Sequence, residues 1–193
     1  MKLVVATSNP GKLRELQKYL GDLDWELVLK PQELEVEETG DTFTENARLK
    51  ASSVAIATNN WAIADDSGLE VDALNGVPGV YSARYGATDS ERIARLLKEL
   101  ADKTNRAAHF ACAIAIASPD GTIILESTGI CRGEILTETR GNGGFGYDPV
   151  FYVPQNKLTF AEMTPEMKRS ISHRGKALAD LFPQLEKLKP QRK

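Results

Sequence analysis

The chain has 193 residues, 41% of them hydrophobic, and a formal charge of −3. That length can bury one sizeable core, as one domain over residues 1–193 or as two lobes sharing it, and a mild charge without blocks of one sign argues against duplex nucleic acid as a partner. No apolar run approaches a bilayer span, Met1-Lys2-Leu3-Val4-Val5 enters a strand-like run with no room for a signal peptide, and two cysteines do not make a metal cluster, so the expectation is a soluble, cytoplasmic protein without a membrane partner.

Leu3–Ala6 reads as a first buried strand. It runs into Thr7-Ser8-Asn9-Pro10-Gly11-Lys12, after which Leu13, Leu16 and Leu20 recur at helical spacing. Asn9 suits an N-cap and Pro10 the first helical residue, since proline lacks the amide hydrogen orphaned there. Lys12 in the first turn opposes the helix dipole. Free amides plus an ammonium make either a phosphate site or an ordinary capped helix with a solvated lysine. Trp25–Leu29 is a second strand, and an acidic loop, Glu33–Asp41, follows. Thr42-Phe43-Thr44-Glu45 spells a capping box. The helix it opens has Phe43, Ala47, Ala51, Val54 and Ala55 as its core stripe and Asn46, Lys50 and Ser53 along a polar edge.

Trp61-Ala62-Ile63-Ala64 is a short apolar run that ends in Asp65-Asp66-Ser67-Gly68. Two adjacent acids at the carboxyl end of a buried strand lie where open α/β sheets place ligands, and their charges repel unless a cation, proton or basic partner intervenes. The pair also reads as a turn whose acids only satisfy backbone amides. Leu69–Leu74 alternates like a half-buried strand, and a Gly/Pro-punctuated loop reaches Gly86. Thr88-Asp89-Ser90-Glu91 caps a helix with Ile93, Leu96, Leu97 and Leu100 on one face. Two β segments, Ala107–Ala117 and Thr122–Ile135, flank the hairpin turn Pro119-Asp120-Gly121, and His109 in the first is read as structural.

Gly141-Asn142-Gly143-Gly144-Phe145-Gly146 has the letters of a dinucleotide loop, but Tyr147-Asp148-Pro149 and a β-like run follow where a helix is required. The glycines suit a closely approached ligand loop instead, with Phe145 and Tyr147 offering rings and Asp148 a carboxylate. Thr164-Pro165-Glu166 starts another helix, whose far end carries Lys168, Arg169, His173, Arg174 and Lys176: either a solvated helix end or a donor cluster. Ala177 to Leu185 closes the core, and Lys187–Lys193 reads as a frayed tail.

Six segments, in order and over nearly the whole chain, resemble signatures of the noncanonical purine nucleoside triphosphate pyrophosphatases, the inosine triphosphatase-like family. They are Thr7-x-Asn9-x-x-Lys12, Glu38-Thr39-Gly40-Asp41-Thr42-Phe43-x-Glu45-Asn46-Ala47, Ala64-Asp65-Asp66-Ser67-Gly68-Leu69, Pro78-Gly79-Val80-Tyr81-Ser82-Ala83-Arg84, Gly144-Phe145-Gly146-Tyr147-Asp148-Pro149 and Ser172-His173-Arg174. The resemblance implies an α/β fold with an elongated mixed central sheet flanked by helices, two lobes and the active-site cleft between them. It further implies a homodimer, a Mg2+ requirement, and hydrolysis of ITP, dITP and XTP to the monophosphate plus pyrophosphate.

By the same resemblance Glu38 and Asp66 hold the metal. Asp66 also takes a proton from the attacking water with Asp65 in support, and Lys50 joins them in catalysis. Thr7, Ser8, Asn9, Pro10, Gly11 and Lys12 meet the phosphates, and Ser67 lies against the substrate. Phe145 stacks on the base within Phe145-Gly146-Tyr147-Asp148, and Lys168, His173 and Arg174 donate to the 6-oxygen of hypoxanthine or xanthine. Such donors would be left unpaired by adenine's amino group. The competing class is a non-catalytic nucleotide-binding or sensor protein. Intact Glu38, Asp65, Asp66 and both lysines speak against it, because a pure binder does not need a metal and water site.

Overall fold

The computed structural model describes residues 1–20 and 25–188. Its elements run β1 (Lys2–Val5), α1 (Pro10–Leu20), β2 (Glu26–Leu29), α2 (Phe43–Thr58), β3 (Trp61–Val71), 3-10 turns at Asp72–Leu74 and Gly79–Arg84, α3 (Asp89–Glu99), β4 (Ala107–Ala117), β5 (Ile123–Ile135), β6 (Phe151–Val153), β7 (Leu158–Thr159), α4 (Pro165–Ile171) and α5 (His173–Lys187). The strands make one sheet in the order β2-β1-β3-β4-β5-β6-β7. Pairing is parallel on both sides of β1 and antiparallel on both sides of β6, so the class is α/β with a mixed sheet, as expected. No helix among the described residues is long and apolar enough to cross a membrane. The chain divides into two compact units, one of Met1–Asp66, Ala113–Thr128 and the segment from Ala177, the other of Ser67–Cys112 and Gly129–Lys176.

In the first unit β1 lies between β2 and β3. The crossover through α1 therefore leads to one side of β1 and the crossover through α2 back past it to the other. Because parallel crossovers are right-handed, the two helices belong on opposite faces of the sheet. Burial agrees: Val4, Ala6, Ala62 and Ala64 pack with Ala47, Ala51, Val54 and Ala55 of α2. Ala62 and Ala64 of β3 thus face α2, and alternation turns Ile63 and Asp65 to the other face. The capping box forms as read: Thr42 Oγ1 accepts from Glu45 N at 3.1 Å, and Glu45 Oε2 accepts from Thr42 N at 3.2 Å. Asn59 closes the helix in the left-handed region at φ 50°.

The second unit is built on α3, whose Ile93 and Leu96, with Leu100 that closes the helix, pack with Leu69, Val71, Phe110, Phe151 and Phe160. Burying each such side chain contributes about 1.5–3 kcal/mol. A second capping box, Thr88 with Glu91, fixes where α3 begins.

Three expectations change. The run from Trp61 does not end at the acids: β3 continues through Ser67-Gly68 to Val71, and Asp72–Leu74 turns instead of extending it. What stops near the acids is the parallel pairing with β1, whose last partners are Val5 and Ile63, followed by Ala6 N to Ile63 O at 2.8 Å. Trp25 precedes β2 and is buried edge-on against Trp61, with ring centroids 5.8 Å apart. Lys168 to Lys176 is not one helix end. Ser172 is extended, terminates α4, and accepts from Gly175 N at 3.0 Å through Oγ to start α5. Lys187 still belongs to α5, and residues 189–193 of the expected tail lie outside the described residues.

Candidate active site

Both acids of β3 are buried, and each has its own lysine. Asp66 shares the α2 face with Ala62 and Ala64, and Lys50 Nζ stands 3.0 Å from its Oδ1. The same ammonium is 2.7 Å from Glu38 Oε1, so Lys50 bridges the two carboxylates assigned to the metal. Asp65 takes the opposite face, with Lys12 Nζ at 3.2 Å from Oδ2. The repulsion expected of adjacent carboxylates is relieved by two basic partners, one per face.

Lys12 and Lys50 are thus both engaged by carboxylates. Burial pulls the Lys50 ammonium down, but Asp66, Asp65 and Glu38 together outweigh it, and its pKa lies above the ordinary value. Burial pushes the Asp66 carboxyl up; Lys50 and Lys12 oppose this, Glu38 adds to it, and the net direction is up.

Around the start of α1, Asn9 Oδ1 accepts from Gly11 N at 2.8 Å and Lys12 N at 3.3 Å, and Thr7 Oγ1 accepts from Asn9 N at 3.1 Å. Asn9 therefore caps α1 as read, and its side chain takes up the first-turn amides of Gly11 and Lys12. Pro10 opens the helix, and Ser8 is exposed before it.

In the second unit the glycine loop is tied down at both ends. Asp148 Oδ2 accepts from Phe145 N at 2.9 Å and Lys168 Nζ at 2.7 Å. Lys168 is thereby held 4.8 Å from the Phe145 ring centroid. Gly146 N donates to Asp89 Oδ2 at 2.7 Å. Gly144, at φ +75°, would place a Cβ 1.9 Å from Asp148 Oδ2. Gly144→Ala is therefore expected to lose about 1–3 kcal/mol from the left-handed backbone alone, more with the clash, lowering Tm by several degrees in a thermal melt.

Tyr147 is not presented for stacking. Its ring is buried in the core and its hydroxyl donates to Ser82 O at 2.9 Å. His173 is buried with its ring stacked on Phe110, centroids 4.7 Å apart. Arg174 is 1% exposed and donates from Nη2 to Ser67 Oγ at 2.9 Å. His109 pairs with Glu70 at 2.9 Å, in keeping with its structural reading.

A model of the Ham1 family matches residues 3–184. The chain belongs to the Ham1 family. Among curated relatives, "dITP/XTP pyrophosphatase" of Nostoc sp. is 72% identical over 95% of this chain and 93% of its own length. The protein of the same name from Synechocystis sp. is 61% identical over 97% and 96%. A solved Ham1 protein from Coxiella burnetii superposes with a TM-score of 0.89 at 44% identity, covering 97% of this chain and 99% of its own. The Staphylococcus aureus Ham1 protein gives 0.87 at 42% identity, covering 98% and 100%.

Two residues of this Ham1 chain touch the site and escaped the sequence reading. Asn46, read as part of a polar edge and quoted within a family motif but given no role, is fully buried and donates from Nδ2 to Asp66 Oδ2 at 3.2 Å. Asp89, read as a helix-cap residue, anchors the glycine loop. The Asn in Glu45-Asn46-Ala47, one turn before Lys50 on α2, was the available signal for the first; Asp89 left none.

Proposed function

We propose that this protein is a metal-dependent nucleoside triphosphate pyrophosphohydrolase. It converts the deaminated purine nucleotides dITP, XTP and ITP to the monophosphate and pyrophosphate and so cleanses the nucleotide pool. The observation that carries the reading is the set Glu38, Lys50 and Asp66, in which Lys50 and Asp66 are buried and Glu38 half-buried, joined on the other face of β3 by Asp65 and Lys12. Family membership and the names of the close relatives supply the substrate class.

The donor set suits Mg2+. This cation takes hard oxygens and is commonly held by one or two carboxylates together with substrate phosphates, so a pair is sufficient. The Lys50 ammonium lies 2.7 Å from Glu38 Oε1 and 3.0 Å from Asp66 Oδ1, which supports the reading that these two carboxylates serve one cation. Glu38 and Asp66 would hold the metal, which when bound offsets charge on the phosphoryl oxygens.

Asp66 orients the attacking water and takes its proton as the bond between the α- and β-phosphates breaks and pyrophosphate leaves. Asp65 holds Lys12. Lys12 and Lys50 contact phosphate oxygens, with Asn9 shaping the segment Thr7 to Lys12. No covalent nucleophile is required, because phosphoryl transfer rests on positioning and electrostatics. Phe145 stacks on the base, Lys168, His173 and Arg174 read its 6-oxygen, Ser67, Gly146 and Asp148 complete that set, and Tyr147 supports the loop from the core. We also propose that residues 1–193 act as one catalytic domain, in a cytoplasmic homodimer.

Incubation with dITP and Mg2+, followed by identification of the phosphate product, tests the reading. Pyrophosphate with dIMP is expected; orthophosphate as first product, or no turnover, overturns it and would leave a γ-phosphatase or a non-catalytic nucleotide binder. Stripping divalent ions with EDTA should abolish turnover and added Mg2+ restore it; activity that survives chelation removes the metal from the proposal.

A further inference from the structure

We infer that Asn46 is a positioning residue for this reaction: it pins one oxygen of Asp66 and the backbone just after Glu38, and so sets the spacing of the two carboxylates assigned to the metal. The inference rests on that assignment. Asn46 lies on α2 and is fully buried. Its Oδ1 accepts from Gly40 N at 2.8 Å, and its Nδ2 donates to Gly40 O at 3.3 Å and to Asp66 Oδ2 at 3.2 Å. Both donors of the amide and one acceptor site are thus in use.

Gly40 follows Glu38 by two residues, and the loop comes so close to α2 that a Cβ there would stand 2.7 Å from Glu45 Cβ and 2.8 Å from Asn46 Oδ1. One turn further along α2, Lys50 donates to the other oxygen of Asp66 and to Glu38. Residues four apart share a helix face, so α2 supplies a donor to each oxygen of one carboxylate. The two donors differ in kind. Lys50 is a charge on a flexible stem, suited to follow an anion, whereas Asn46 is short, neutral and fastened to backbone. Alanine would be the better helix former at this position, which leaves the three hydrogen bonds as the physical reason for asparagine.

The test uses Asn46→Ala in the full chain. Dependence of dITP turnover on Mg2+ is measured beside direct Mn2+ binding to the substrate-free protein by electron paramagnetic resonance. The Mg2+ concentration for half-maximal turnover should rise about 10–100-fold, as for other partners that orient metal ligands. Mn2+ affinity should weaken in parallel, while KM for dITP at saturating Mg2+ changes little. Gly40→Ala displaces the same loop without altering the amide, should shift metal dependence the same way, and serves if Asn46→Ala does not fold. Unchanged metal dependence and Mn2+ affinity in a folded variant, or a loss confined to KM for dITP, overturns the inference. A wild-type protein that does not hydrolyse dITP refutes the proposed function instead, and the Mn2+ titration still decides whether Asn46 governs metal binding.

Discussion

Asp66→Asn is expected to lower turnover of dITP by about 10²–10⁴-fold, the range that a positioned general base contributes, while the chain stays folded. The substitution preserves size, and the amide oxygen can still accept from Lys50 at the position now 3.0 Å away. It removes the negative charge and the proton acceptor. It also turns an amide nitrogen toward Asn46 Nδ2, donor against donor, which costs about 1–3 kcal/mol. A melt should therefore shift by a few degrees without losing cooperativity, and Mg2+ dependence should weaken with turnover. Near-normal kcat in the folded variant would take Asp66 out of the mechanism.

Arg174→Ala is expected to lower kcat/KM for dITP by about 10–100-fold, the equivalent of one charge-assisted hydrogen bond of about 1.5–3 kcal/mol. It should also narrow the preference for dITP over dATP. A buried guanidinium is held in place by its surroundings, and here Nη2 is fixed on Ser67 Oγ, the residue that directly follows Asp66 in β3. Lysine is not a substitute, because it lacks the planar fork. The comparison of dITP with dATP separates base reading from general damage: a structural loss lowers both alike, and an unchanged ratio would remove Arg174 from base selection.

Local devices were legible in the sequence because their partners lie within three or four residues. The boxes Thr42–Glu45 and Thr88–Glu91, the hairpin at Gly121 and the stripe of α3 all form as read. The family motifs singled out the candidate site residues but not their pairing. Lys50 reaches Glu38 and Asp66 across 12 and 16 residues, and Asn46 reaches Asp66 across 20, distances that only the crossover geometry closes. Ser67-Gly68 reads as a break, yet strand pairing overrides local preference and carries β3 through it. The discontinuity at Ser172 is hidden for the opposite reason. One serine ends α4 and caps α5, so the helical pattern reads as continuous across it. Tyr147 has an amphipathic ring, and whether it faces ligand or core is decided by packing with residues far away in sequence.

The alternation of β3 makes the chemistry sensitive to chain length in a way that the loops are not. Its phase is pinned upstream by the pairs Leu3 with Trp61, Val4 with Ala62 and Val5 with Ile63. Deleting one residue between Ile63 and Asp65 would turn every later side chain over, handing Asp66 to Lys12 and offering only the Ser67 hydroxyl to Lys50. Inserting one would bring Asp65 to Lys50 and leave Lys12 facing Ala64. Neither frame gives each lysine its carboxylate, so under the proposed function the parity of this strand constrains the site.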